Sequence, residues 1–134
     1  TRAEWNTFLN NNTNSHGSLI FQDVRYKPFA KPFQLIGRIA WTNLDNFENR
    51  IYAFENVPLY DYPLYVHTRN GLRSYFMIRY MPSKQLNFWL RVAHNEDQIP
   101  LTALNQEVSI GSGLEERSGN SQQTITLQIR YLFK

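Results

Sequence analysis

The chain has 134 residues, a length that suits one domain with its own core and is too short for two. It contains no cysteine, which excludes a disulfide scaffold and thiolate metal sites, and no apolar run approaches the roughly 18 residues that a membrane-spanning helix needs. The formal net charge of +3 is mild and does not by itself indicate nucleic-acid binding.

Aromatic residues are frequent although the chain is hydrophilic on average. They make up 15% of the sequence, while the mean hydropathy is −0.51. A membrane β-barrel combines these two properties because half of each strand faces a polar interior and its aromatic residues collect at the membrane interfaces. A soluble β-rich binding module gives nearly the same values, so composition leaves both classes open.

Short runs of alternating apolar and polar residues lie between clusters of Gly, Pro, Asn and Asp, and they predict an all-β chain. We predict eight antiparallel strands, at about residues 1–8, 18–27, 32–42, 49–56, 58–66, 71–81, 86–94 and 123–133. The segments 49–56 and 58–66 are short for a tilted crossing of a bilayer. Pro58 and Pro63 also suit a strand poorly unless they lie at its start or at an irregular edge.

The predicted links between these strands alternate in length. Residues 27–32 and 82–85 form tight turns that contain proline, and a third bend lies near 56–58. The links at 10–17, 42–49, 66–71 and 95–122 are longer. This alternation is typical of outer-membrane barrels, which have tight periplasmic turns and long external loops. Soluble meanders also have mixed loop lengths, so the pattern favours the membrane class without deciding it.

The four strongest strands carry arginine opposite their apolar residues, because side chains alternate along a strand. We expect the arginines to form a charged, hydrogen-bonded filling of a narrow barrel or, in a wider one, a lumen that favours anions. A solvated face of a soluble sheet is the competing interpretation. The residues predicted to face a polar interior are Arg2, Arg38, Arg73, Arg79, Arg91 and Arg130, with Glu4 as the clearest carboxylate partner.

The opposite faces of the same strands are apolar and aromatic. The residues predicted to face lipid or the membrane interface are Trp5, Trp41, Phe76, Phe88, Leu90, Ile129, Tyr131 and Phe133. Among them Trp5, Trp41 and Tyr131 lie near strand ends, where an interfacial girdle of aromatic residues is expected. The core of a soluble barrel is the alternative explanation.

No pattern indicates catalysis, a metal site or a cofactor. His16, His67 and His94 fall in predicted loops or at strand ends and are expected to be solvated, and no metal-ligand spacing or nucleophile elbow is present. The Gly-rich segment 111–120 lacks the Lys and Ser/Thr of a phosphate loop, so we expect an exposed turn. Arginines and aromatic residues lie mainly on opposite faces, which argues against a platform that stacks nucleic-acid bases.

Several sequence segments together resemble a known protein family. DVRYKP, ENRIYAFENVPLY, LRSYFMIRYMPSKQLNFWLRVAH and IGSGLEERSGNSQQTITLQIRYLF look like the carboxy-terminal barrel region of a Bacteroidota outer-membrane protein family whose members carry helix-hairpin-helix segments ahead of the barrel. The resemblance covers about residues 18–133. It implies an outer-membrane location and a chain that is the last part of a larger barrel, and it implies no reaction. Lys134 after Phe133 departs from the aromatic ending common in such barrels.

We therefore predict a single domain over residues 1–134: an all-β, antiparallel transmembrane β-barrel of about eight strands, or the carboxy-terminal part of a larger one, in a Gram-negative outer membrane. The predicted role is structural, as a scaffold in an envelope complex, or that of a pore, and not catalytic. Expected partners are outer-membrane lipid, other envelope proteins and missing N-terminal strands, without nucleic acid. The alternative is a soluble lipocalin-like barrel binding a small apolar ligand, in which Phe88, Leu90, Leu127 and Ile129 point inward.

Overall fold

A computed structural model describes residues 1–10, 13–98, 109–110, 117–118 and 120–133. These residues form an antiparallel all-β structure, as predicted, with one 3-10 turn at Phe47–Asn49. The strands are β1 (Arg2–Asn10), β2 (Thr13–Tyr26), β3 (Phe33–Leu44), β4 (Ile51–Phe54), β5 (Leu64–His67), β6 (Gly71–Tyr80), β7 (Leu86–Asp97), β8 (Ser109–Ile110), β9 (Arg117–Ser118) and β10 (Ser121–Tyr131).

Within the described part of the chain, no helix is both long enough and apolar enough to span a bilayer.

Six strands form one antiparallel sheet in the order β1-β2-β3-β6-β7-β10. The prediction of eight neighbouring strands is wrong in this respect, because β4 and β5 pair only with each other, from Ile51 opposite His67 to Phe54 opposite Leu64. Pro58 lies in the link between them and Pro63 immediately precedes β5. Proline has no backbone N–H to donate to a strand ladder, so both positions, which lie outside the strands, suit it.

The β4–β5 hairpin lies over one face of the large sheet. Ile51 and Ala53 of β4 belong to a buried cluster with Leu19 and Phe21 of β2. A second buried cluster joins β3, β6 and β7, and Leu59 packs against it from the link between β4 and β5. We call this side of the sheet the covered face and the opposite side the open face.

The strand phases agree with the alternation in the sequence. Along β3, the residues buried on the covered face are Ile36, Arg38, Ala40, Thr42 and Leu44. On the open face of the sheet, large apolar side chains are exposed to different degrees: the exposed fraction is 39% for Leu90, 59% for Ile129 and 68% for Leu127. The arginines of β3, β6, β7 and β10 therefore lie on the covered face, among buried apolar side chains. The open face carries mostly apolar side chains, many of them accessible.

Two predicted links differ from the structure. Residues 13–17, expected in a long loop, begin β2, so that only residues 11–12 lie between β1 and β2. The predicted links at 42–49 and 66–71 belong to a single connection from β3 to β6. This connection contains the β4–β5 hairpin. Most of the predicted exposed turn at 111–120 lies outside the described residues.

The sheet is open over the residues that the structure describes. Each outer strand, β1 and β10, has one neighbour in the sheet, and they do not pair with each other. Closure into a barrel, in which β10 pairs with residues near 1–8, is therefore not seen among the described residues. No described strand pairs with the outer edge of β1 or of β10, and such edges offer a row of backbone donors and acceptors for pairing.

Candidate functional site: a charged network beneath the hairpin

A buried carboxylate at Glu55 lies at the centre of the covered face. Its side chain is 3% exposed and it follows β4 directly. Arg73 of β6 donates from Nε to Oε1 at 2.7 Å and from Nη2 to Oε2 at 2.9 Å. Arg91 of β7 donates from Nη2 to Oε2 at 2.5 Å. One carboxylate thus bridges arginines on two neighbouring strands, and charge-assisted bonds of this kind are the strong ones.

Arg38 forms a second charged pair beside the first. It donates from Nε to Oδ1 of Asp23 at 2.5 Å and from Nη2 to Oδ2 at 2.7 Å. Asp23 lies directly opposite Arg38 in the ladder between β2 and β3. The remaining nitrogen, Nη1, donates to the Phe54 carbonyl at 2.7 Å, so the hairpin receives a bond from this pair as well.

The hairpin backbone beyond Phe54 is held by several strands. We call residues 54–59 the anchor segment. Arg91 Nε donates to the Asn56 carbonyl at 3.2 Å, and the hydroxyl of Tyr75 accepts from both the backbone and side-chain nitrogens of Asn56 at 3.1 Å. Gln128 of β10 donates to the Leu59 carbonyl at 2.6 Å. Buried backbone groups need such partners, and here side chains of the sheet supply them.

A polar cavity of about 350 Å³ lies at the end of the covered face near Gly71 and Asp97. His67 lines it and is buried, and its Nδ1 lies 2.9 Å from the Thr42 hydroxyl. Burial lowers the pKa of His67 to about 4, with the positive charge of Arg73 acting in the same direction. Burial likewise raises the pKa of Tyr65 in the same cavity. His67 is therefore neutral at pH 7.

The opposite end of the covered face is built around Trp89. Its ring lies between two arginines, with guanidinium carbons 5.4 Å (Arg79) and 5.7 Å (Arg130) from the ring centroid. Both Nε atoms are buried and have no hydrogen-bond partner among the described residues. Arg79 lines a cavity of about 350 Å³, and Arg130 lines one of about 500 Å³.

The predicted polar residues all lie on the covered face. Glu4 pairs with Arg2 at 2.6 Å, at the β1 edge of the sheet. Arg38 pairs instead with Asp23, and Arg73 and Arg91 pair with Glu55, two carboxylates that the prediction did not name. The alternation along β2 could have indicated Asp23, because it lies on the same side of the strand as the buried Leu19 and Phe21. Glu55 lies outside the large sheet, and no sequence pattern predicts its position.

The residues predicted to face lipid share the open face or continue from it. Phe88 is half-buried and stacks on Tyr80. The exposed members are Trp5, Trp41, Phe76, Leu90, Ile129, Tyr131 and Phe133.

The histidines only partly follow the expectation of solvated loops. His16 is exposed but lies within β2, while His94 is half-buried within β7. His67 ends β5 and is 5% exposed, so the prediction that it is solvated is wrong. In the described part of the chain, no three residues of the His, Cys, Asp and Glu types lie together as metal ligands would.

Comparisons of the chain with family models, with curated proteins and with solved structures found no match. The resemblance to a Bacteroidota outer-membrane family stays a prediction from sequence phrases.

Proposed function

We propose that the chain forms part of the wall of a transmembrane antiparallel β-barrel in a bacterial outer membrane, with a structural or pore role. The observation that carries this proposal is a charged network on the covered face combined with an exposed apolar open face. Three arginines, a glutamate and an aspartate lie together beneath the hairpin, beside two buried apolar clusters, while the open face exposes many large apolar side chains. A barrel wall in lipid has this distribution, with a polar inside and an apolar outside.

The apolar residues of the open face form continuous rows across the strands. Leu90 lies opposite Ile78 on one side and Leu127 on the other. Trp41 likewise lies between Ile20 and Leu72. Soluble monomers rarely expose an apolar patch that extends over a whole sheet, because its hydration is unfavourable. Contact with lipid hydrocarbon removes this cost.

The open edges support a barrel with further strands. Lipid offers no hydrogen-bond partners, so the free backbone groups of β1 and β10 need other strands within the membrane. Those strands can come from additional residues of the same protein, as the family resemblance implies, or from another envelope protein. The outer-membrane lipid and these strands are the partners that we propose.

The position of the hairpin favours a structural role over an open pore. In a barrel, the covered face is the interior, and the hairpin with its anchor segment fills the space beside five of the six strands. A barrel interior that is filled by side chains and a folded segment conducts ions poorly. We therefore expect planar-bilayer recordings to show little or no conductance, and steady anion-selective conductance would instead support the pore role.

The soluble lipocalin-like alternative requires apolar residues on the inside. Leu90, Leu127 and Ile129 lie on the open face instead, away from the hairpin. The centre of the covered face, where such a ligand would lie, is occupied by guanidinium and carboxylate groups and by the hairpin. These positions support the membrane proposal.

Flotation with lipid vesicles tests the proposal, using a matched pair of variants on β10. We expect the purified protein to float with vesicles and Leu127→Arg, on the open face, to reduce insertion and to cost about 2–4 kcal/mol near the bilayer centre. Thr126→Arg, the neighbouring residue on the covered face, is the control and should insert. A protein that stays dispersed as a monomer without lipid or detergent contradicts the proposal.

A further inference from the structure

The polar cavity at the Gly71 end of the covered face is not needed for the structural role. Its volume is about 350 Å³, and β3, β5, β6, β7 and β10 all contribute to its described lining. Small-ligand sites are concave, about 300–1,000 Å³ in volume, and use a few placed polar groups to orient the ligand. The cavity lies within this range of sizes.

Several lining side chains are held in position by contacts with one another. The Thr42 hydroxyl lies 2.9 Å from Nδ1 of His67, and Asn95 donates from Nδ2 to Oδ1 of Asp97 at 2.8 Å. The Tyr65 ring meets the His67 ring edge-on, with 4.9 Å between the centroids. These five residues all lie on strands, and sites on strands keep their geometry better than sites on loops.

Other polar atoms of the same lining have no hydrogen-bond partner among the described residues. They are Nε2 of His67, Oδ2 of Asp97 and the side-chain polar atoms of Thr68 and Gln122. None of them is among the fully buried polar atoms that lack a partner, so a small molecule can reach them. Donors and acceptors from separate elements are therefore available in one cavity.

The formal charges around the cavity nearly cancel. Arg73 is paired with Glu55 at 2.7 Å, and the lining also holds the opposite charges of Arg69 and Asp97. Burial keeps His67 neutral at pH 7, because it lowers the pKa to about 4. Such a lining favours neither an anion nor a cation, and an apolar ligand would leave its polar groups without hydrogen bonds.

We propose that this cavity binds a neutral saccharide unit. A sugar ring carries several hydroxyl groups, and each hydroxyl both donates and accepts hydrogen bonds. One ring can therefore satisfy an acceptor such as the Asp97 carboxylate and a group such as the Gln122 amide together. The C–H groups of the ring form an apolar patch that suits Phe47, a lining residue that is 62% exposed. The site lies on the covered face, so it does not depend on whether the open face contacts a membrane.

Saturation-transfer difference NMR tests the proposal. Purified protein is kept dispersed in buffer or in a polyoxyethylene detergent, which has no sugar head group, and is titrated with glucose, N-acetylglucosamine and maltose. We expect saturable binding of at least one of these sugars, with a Kd of about 1–10 mM. Glucosamine and glucuronate share the same ring but carry a charge, and both should bind more weakly, because the site offers their charge no counter-charge.

Matched variants separate this site from other surfaces of the protein. Asp97→Asn removes the carboxylate and should weaken binding of the best neutral sugar about tenfold, and Gln122→Ala should weaken it about fivefold. The controls are Glu96→Gln and Gln123→Ala, neighbouring residues of the same strands whose side chains lie on the open face. Both controls should leave the Kd unchanged.

Three outcomes overturn the proposal. They are no saturable binding of any of the three neutral sugars below about 50 mM, tighter binding of glucuronate or glucosamine than of N-acetylglucosamine, or equal weakening by the controls and their counterparts. Far-UV circular dichroism checks that each variant is folded. Should Asp97→Asn misfold, Gln122→Ala and Gln123→Ala carry the test, because the Gln122 side chain makes no hydrogen bond to a described residue.

Discussion

The centre and the Trp89 end of the covered face use the same residue type in two different electrostatic settings. At the centre, Arg73 and Arg91 share the buried carboxylate of Glu55. At the Trp89 end, Arg79 and Arg130 lie near an aromatic ring, and no carboxylate of the described residues pairs with them. Removing the carboxylate at the centre leaves two buried charges without a counter-charge, whereas removing a charge at the Trp89 end breaks none of the described ion pairs. The comparison predicts that removing a charged group destabilises the protein at the centre and has little effect, or a stabilising one, at the Trp89 end.

The largest expected effect is that of Glu55→Gln. This change leaves Arg73 and Arg91 buried without their carboxylate, and breaking a buried pair in this way costs about 3–5 kcal/mol. The measurement is the free energy of unfolding by guanidinium chloride in detergent micelles. Glu4→Gln is the control, because its partner Arg2 is exposed and such pairs contribute at most about 1 kcal/mol. Equal losses in the two variants would show that the centre has no special role.

The next largest effect concerns pH and His67. Its pKa in the folded protein is about 4, below the ordinary value of 6.5, so the unfolded chain binds more protons between these values. Its contribution to stability is therefore complete above pH 6.5 and falls as the pH decreases to about 4, by about 3 kcal/mol in total.

The test compares the pH dependence of unfolding in the wild type with that in His67→Gln. Other groups titrate in both proteins, so the difference between the two curves isolates His67. We also expect Arg73→Gln to raise the pKa of His67, because the Arg73 charge lowers it. Parallel curves for the wild type and His67→Gln would contradict this prediction.

A smaller effect is expected for Arg38→Lys. The guanidinium of Arg38 makes two bonds to Asp23 and a third to the Phe54 carbonyl, and one ammonium group fails to reproduce this geometry. Because Asp23 is partly exposed, we expect a loss of about 1 kcal/mol. Thermal unfolding followed by circular dichroism measures this loss of stability. The same midpoint temperature for Arg38→Lys and the wild type would show that the forked guanidinium geometry adds no stability.

The smallest effect is expected at the Trp89 end. Arg79→Gln should change the unfolding free energy by no more than about 0.5 kcal/mol, or should increase it, because it removes a charge that forms no ion pair with a described residue. A loss comparable to that of Glu55→Gln would place Arg79 among the structural arginines. It would thereby remove the distinction between the two regions.

The sequence predicts the faces of the sheet well and the hairpin poorly. Alternation with period two assigns Arg38, Arg91 and Arg130 to one face, because each strand is long enough to repeat the pattern several times. β4 and β5 have four residues each, too few for alternation to show which sheet they join. The pairing of Glu55 with Arg91 spans 36 positions, and no local pattern encodes such a contact.

The sequence separation between contacting residues predicts the order in which the parts of the fold assemble. The large sheet is a meander in which most neighbouring strands are also close in sequence, and local pairings of this kind form early. The bond from Gln128 to Leu59 joins residues 69 positions apart, so the anchor segment completes its contacts only after β10 has joined β7. The contacts of the anchor segment should therefore be among the last to form. During refolding, residues 54–59 should be the last to become resistant to proteolysis.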